Sequence, residues 1–234
     1  MNFNNAKELF AKNNLTLSEK QFELFSVYSS FLVEYNNKIN LTAITEENAI
    51  WEKHFLDSVL LFKHIKIDSK SKVIDVGTGA GFPGVAMAIY QNDLKLTLLD
   101  SLNKRIVFLQ ELAEKTELND CTCIHSRAED AGRLDDYREK YDIACARAVA
   151  ELPVLCEYCL PFVKTGGRFL ALKGPNESVD DAQSAIKILG GEFENSYMDE
   201  LPDGSKRQII VIRKISETPE IYPRKSKAIS NKHL

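Results

Sequence analysis

The sequence predicts an α/β protein: a doubly wound, mostly parallel sheet closed by an antiparallel hairpin and preceded by a helical extension. Three observations carry this. From Lys72 onward, apolar strand-like runs alternate with helical ones, as in consecutive βαβ units. The first of these strands, Val73 to Val76, breaks into a loop that holds four glycines, Gly77-Thr78-Gly79-Ala80-Gly81-Phe82-Pro83-Gly84. Near the end, Glu192 to Leu201 and Arg207 to Ile215 read as two strands joined by Pro202-Asp203-Gly204-Ser205, a hairpin signal.

In chain order, residues 1–66 have helical periodicity. Ser18 and Gln21 form a capping-box pattern before an amphipathic run through Phe22, Phe25, Tyr28, Phe31, Leu32 and Tyr35, a stripe expected in the core. Asn36 to Asn40 breaks that helix, and a second helical stretch holds Trp51 to Ser58. The remaining strands are Leu96 to Asp100, Cys121 to His125, Tyr141 to Arg147 and Arg168 to Leu172. Helices lie near Pro83 to Tyr90, Lys104 to Thr116, Ala128 to Asp130 and Leu152 to Phe162. These divide the chain into a helical extension (1–66), an α/β domain (67–215) and a basic tail (216–234). The tail carries Arg224, Lys225, Lys227 and Lys232 with no acid after Glu220, and reads either as a solvated, mobile terminus or as a contact for RNA phosphates.

The 234 residues suffice for one α/β domain with a large core and a small extension. No apolar run approaches the roughly 18 residues of a membrane span, and the polar start is no signal peptide, so a cytoplasmic protein without membrane contact is expected. A net charge of -4 argues against an indiscriminate nucleic-acid binder but permits a local basic patch. Among the five cysteines, Cys156 and Cys159 are spaced C-x-x-C within an apolar segment, with no second pair at zinc spacing. Buried reduced thiols are expected, and no metal site.

The glycine loop admits two registers. Counted from Gly79 it fits the dinucleotide fingerprint G-x-G-x-x-G, which would make the protein a nicotinamide-dependent oxidoreductase. Counted from Gly77, where the strand stops, it is an acid, Asp75, followed by G-x-G-x-G. The strand end favours the second register, which resembles the S-adenosylmethionine (SAM) loop of class I methyltransferases. Their parallel sheet also ends in an antiparallel hairpin.

In doubly wound folds the ligand lies beyond the carboxyl ends of the strands. Asp100 closes the second strand at a spacing suited to accepting ribose hydroxyls, and Asp100-Ser101-Leu102 would flank ribose and adenine. After the third strand, Ala128 and Glu129 are placed to meet the adenine edge, although acids are favoured at any helix start. Arg147 ends the apolar fourth strand and needs a partner. The cofactor's carboxylate, an RNA phosphate and a structural salt bridge all qualify.

The ordered set Asn40-Leu41-Thr42-Ala43-Ile44, His54-Phe55-Leu56-Asp57-Ser58, the loop from Asp75 to Gly84, Ala146-Arg147-Ala148, Leu172-Lys173-Gly174 and Tyr222-Pro223-Arg224 resembles the bacterial RsmG (GidB) family across nearly the whole chain. These methyltransferases modify a guanine N7 in 16S ribosomal RNA. The resemblance implies a class I fold, SAM as cofactor, 16S rRNA or the small ribosomal subunit as partner, and cofactor contacts at Gly77, Gly79, Phe82, Asp100, Ser101, Leu102, Ala128, Glu129 and Arg147. The tail departs from it, with Ser226-Lys227-Ala228-Ile229 where the family continues with a Gly-Thr-Pro-like run. Guanine N7 carries a lone pair and no proton, so no general base is expected. A cation must hold O6 while leaving N7 free, and Lys173, Arg147 and Arg127 are the candidates. A non-catalytic ribosome-assembly factor with this fold is a further alternative. The sequence is compatible with a monomer and leaves the oligomeric state open.

Overall fold

A computed structural model describes residues 1–234. Helices α1 (Phe3–Lys12) and α2 (Glu19–Asn36) open the chain, and α2 starts at the expected capping box of Ser18 and Gln21. A short α3 (Glu47–Ile50) runs through a π-helical turn, Trp51–Leu56, into α4 (Asp57–Val59). There follow β1 (Lys72–Val76), α5 (Gly84–Tyr90), β2 (Lys95–Asp100), α6 (Asn103–Lys115), β3 (Cys121–His125), α7 (Ala128–Ala131) and β4 (Tyr141–Arg147). The chain continues with α8 (Leu152–Cys159), β5 (Val163–Lys173), α9 (Gln183–Ile188), β6 (Gly191–Glu200), β7 (Lys206–Lys214) and α10 (Ser226–Asn231). No helix is long and apolar enough to cross a membrane.

The seven strands form one sheet in the order β3-β2-β1-β4-β5-β7-β6, parallel except that β7 runs antiparallel to both neighbours. The order reverses between β1 and β4, which makes the switch-point crevice of a doubly wound sheet. Alternation along β1 shows why both faces are covered. Val73 joins the core under the N-terminal helices, α5 and α6, while Ile74 and Val76 join the opposite core under α8 and α9. The aromatic stripe is core, as expected. Phe25, Tyr28, Phe31 and Tyr35 of α2 are buried, and Phe25 meets Phe55 at a centroid distance of 4.7 Å.

The tail from Thr218 to Ile229 is docked, which overturns the reading of a solvated, mobile terminus. Arg138 donates to the carbonyls of Thr218 and Tyr222, and Arg133 to that of Ile221. Arg224 forms a two-pronged ion pair with the buried Glu157 of α8, and Ile229 is buried. The charge of Arg224 is thereby committed inside the protein. Helices α9 and α10 lay outside the sequence expectation, and β5 begins at Val163 rather than at Arg168.

Candidate active site

Gly77, Gly79 and Gly81 all have positive φ, 71°, 61° and 98°, whereas Gly84 simply opens α5. This alternation follows the register counted from the strand end. A Cβ on Gly81 would lie 2.7 Å from the Tyr28 hydroxyl and 2.8 Å from Val85. That hydroxyl donates to the Ala80 carbonyl at 2.5 Å, and burial pushes its pKa well up, so α2 holds the loop from behind. Asp75 braces the loop from below, its Oδ2 accepting from Thr78 Oγ1 at 2.7 Å and from the Gly84 N–H at 2.8 Å. Complete burial raises its pKa to about 6, and its Oδ1 has no partner.

Beyond the loop opens a cavity of about 500 Å³ lined by Gly77, Asp100, Ser101, Ala128, Glu129 and Tyr158 among others. Asp100 Oδ2 accepts from the Gly79 N–H at 2.9 Å and from Arg105 Nη1 at 3.2 Å, and Oδ1 accepts from the Leu102 N–H at 2.9 Å. A carboxylate has about four acceptor positions, so one on Oδ1 remains for a ligand hydroxyl. The cavity combines a glycine floor, the Asp100 carboxylate on β2 with one open acceptor position and the buried Glu129 at the start of α7, a set whose chemistry fits the adenosine part of SAM. Arg105, Tyr158 and Ser226 of the tail also line it and were not anticipated.

Four expected cofactor residues lie outside this lining: Gly79, Phe82, Leu102 and Arg147, the last of which lines a second cavity. Gly79 is outside the lining and acts through its N–H on Asp100. Leu102 is exposed and likewise contributes its N–H to Asp100, because Asp100 turns back on the start of α6. Phe82 is buried between Tyr28 and His54, at centroid distances of 5.0 and 4.5 Å, with the Arg147 guanidinium 4.9 Å from its ring.

A second cavity, of about 420 Å³, adjoins the first at Ala148, which lines both and takes a φ of 55°. Lys53, Arg147, Lys173 and Arg207 give it a cationic wall. Arg147 Nη1 donates to Asp57 Oδ2 at 2.9 Å, and Arg207 Nε lies 3.1 Å from Asp57 Oδ1. Arg147 therefore has the structural salt bridge among its three possible partners, and it still faces the cavity. Lys173 Nζ donates to the Ala150 carbonyl at 2.6 Å and pairs with Glu177 at 2.9 Å.

Arg127 is separate. It lines the first cavity, is largely exposed and lies 3.9 Å from Glu129, so only two of the three guanine-orienting candidates share a cavity. Lys53, Arg207 and Gln208 are lining residues the sequence reading missed, and Asp57 was noted only as part of a motif.

His54 ties this wall to the residue 40–44 motif. Arg147 Nη2, which can only donate, lies 3.4 Å from His54 Nδ1, so the ring proton sits on Nε2 and is donated to Thr42 Oγ1 at 2.8 Å. Burial and the Arg147 charge lower the His54 pKa to about 4.

A seven-stranded sheet with one antiparallel strand, an acid before G-x-G-x-G and an adenosine-sized cavity at the switch point define a class I SAM-dependent methyltransferase. Solved structures agree on the fold. A 16S rRNA adenine N1-methyltransferase from Catenulisporales acidiphilia, determined with SAM, matches with a TM-score of 0.53 at 13% identity over 63% of this chain and 87% of that one. M. jannaschii TYW2 in complex with AdoMet matches with a TM-score of 0.52 at 12% identity over 63% and 71%.

The family is shown by sequence. Residues 21–210 match the family model for rRNA small subunit methyltransferase G (GidB), and the chain belongs to that family. Its relatives named ribosomal RNA small subunit methyltransferase G include one from Clostridium botulinum, 48% identical over 94% of this chain and 93% of the relative. Another, from Acetivibrio thermocellus, is 50% identical over 91% and 88%.

Proposed function

We propose that this protein methylates N7 of one guanine in 16S rRNA, in the cytoplasm, with Arg147 and Lys173 orienting the base. The observation that carries this reading is the meeting of two cavities at Ala148, one suited to adenosine and one walled by cations. When bound, SAM supplies an electrophilic methyl group. The protein's own part is alignment: Asp100, Glu129 and the glycine loop would hold the cofactor, while the second cavity holds the base so that N7 faces the junction.

No carboxylate oxygen or imidazole nitrogen in the second cavity is without a partner. Both oxygens of Asp57 face arginines, Glu177 is held by Lys173 and the Leu152 N–H, and both ring nitrogens of His54 are engaged. An N7 acceptor asks for no general base, and positioning alone can be worth roughly 7 to 11 kcal/mol. Because the chain is acidic overall, RNA binding would rest on a local patch and fall steeply with salt.

The test is incubation with labelled SAM and either undermethylated small subunits or naked 16S rRNA, followed by mass-spectrometric mapping of the product. 7-Methylguanine at one position supports the reading. Methylation of another atom, or subunit association with no transfer, overturns it.

A further inference from the structure

We propose that Gln208, with Lys173, reads the Watson–Crick edge of the target guanine, an assignment that rests on the guanine-N7 reading above. Gln208 is the third residue of β7, lines the cationic cavity and is only 9% exposed. Its Nε2 donates to Ser196 Oγ at 3.0 Å, and its Oε1 is buried without any partner. A buried acceptor left open is destabilising unless something fills it. Every carboxylate oxygen in the same cavity is already engaged: those of Asp57 by Arg147 and Arg207, those of Glu177 by Lys173 and the Leu152 N–H. Gln208 Oε1 is thus the one buried side-chain acceptor of this cavity with no partner at all.

Lys173 and Gln208 are direct cross-strand partners of β5 and β7, so their side chains leave the sheet on the same face. Two of the three ammonium donors of Lys173 are used, which leaves one. The pair therefore presents a donor beside an acceptor. Guanine presents the complement, with O6 accepting beside N1–H donating, and N7 lies on the far side of O6, free of the pair. Adenine reverses both groups, setting an amine against the lysine and a lone pair against the amide oxygen. Sites built on hydrogen bonds to buried groups reject such mismatches strongly, because the buried atoms are left unpaired.

The test uses small-subunit rRNA ligated from fragments with either guanine or 2,6-diaminopurine at the mapped target. The analogue keeps N7 and the 2-amine but reverses the O6 and N1–H groups. Wild type should favour guanine at least hundredfold in kcat/KM. Gln208→Leu should lower kcat/KM on guanine at least tenfold, leave diaminopurine unchanged and keep wild-type SAM affinity. Gln208→Glu, which retains the acceptor, should keep the preference, while the shorter Gln208→Asn should lose most of it. The proposal is overturned if Gln208→Leu or Gln208→Asn keeps the wild-type ratio. A wild-type protein that methylates no guanine N7 would instead refute the function on which it rests.

Discussion

Arg147 at the end of β4 reaches Asp57 in the N-terminal helices across 90 residues of sequence, and the contact is a 2.9 Å ion pair at the wall of the cationic cavity. Arg207 takes the other oxygen of the same carboxylate. One acid therefore sets two cations from different strands, β4 and β7.

Asp57→Asn should leave SAM affinity unchanged in calorimetry and reduce kcat/KM for rRNA more than tenfold. The side chain is nearly buried, and breaking such a pair from one side typically costs about 3 kcal/mol, so thermal melts should show a clear loss of stability.

The pH dependence of stability isolates His54. Its pKa falls from 6.5 unfolded to about 4 folded, so its contribution is present above pH 6.5 and is lost as pH falls through 4. Urea unfolding between pH 7 and 4 should show wild type losing about 3 kcal/mol more than His54→Gln.

Asp75 has the opposite sign. Its pKa rises from 3.8 to about 6, so its contribution is present below 3.8 and is lost as pH climbs through 6. Relative to Asp75→Asn, wild type should lose about 3 kcal/mol over that window. The two groups nearly offset each other in wild type, and only the paired variants reveal them.

Arg224→Ala should strand the buried Glu157 and release the tail. Limited trypsin digestion should then cut at Lys225 and Lys227 within minutes while wild type resists. SAM affinity should fall, because Ser226 lines the cavity proposed for adenosine.

Gly81→Ala should destabilise by about 1 to 3 kcal/mol through strained backbone and the collision with Tyr28 and Val85. Tyr28→Phe, which removes only the bond to Ala80, should have the milder effect on both melting and SAM binding.

The parts of this molecule legible in sequence are those whose signal is local. Strand ends were marked by glycine or by an acid, as at Val76 before Gly77 and at Asp100, and the start of α2 by the Ser18 and Gln21 pair. Asp100 and Glu129 followed because the fold class says where such residues point. The cationic cavity was less legible. Lys53, Arg207 and Gln208 come from a π-helical turn and from the hairpin, and only the closed sheet brings them beside Arg147 and Lys173. The surroundings of Phe82 were not legible either, because its stacking on Tyr28 and His54 depends on the N-terminal helices folding over the loop. The tail misled because its charges imply solvent, while its docking depends on Glu157, an acid hidden in α8.

Sequence patterning separates the first 66 residues from the sheet domain, but the core does not. Trp51, the only tryptophan, lies 5.3 Å from Phe55, which lies 5.1 Å from Tyr28, whose hydroxyl holds Ala80 of the glycine loop. The two regions should therefore melt in a single cooperative transition. The emission of one native fluorophore then reports, without any label, on the integrity of the glycine loop.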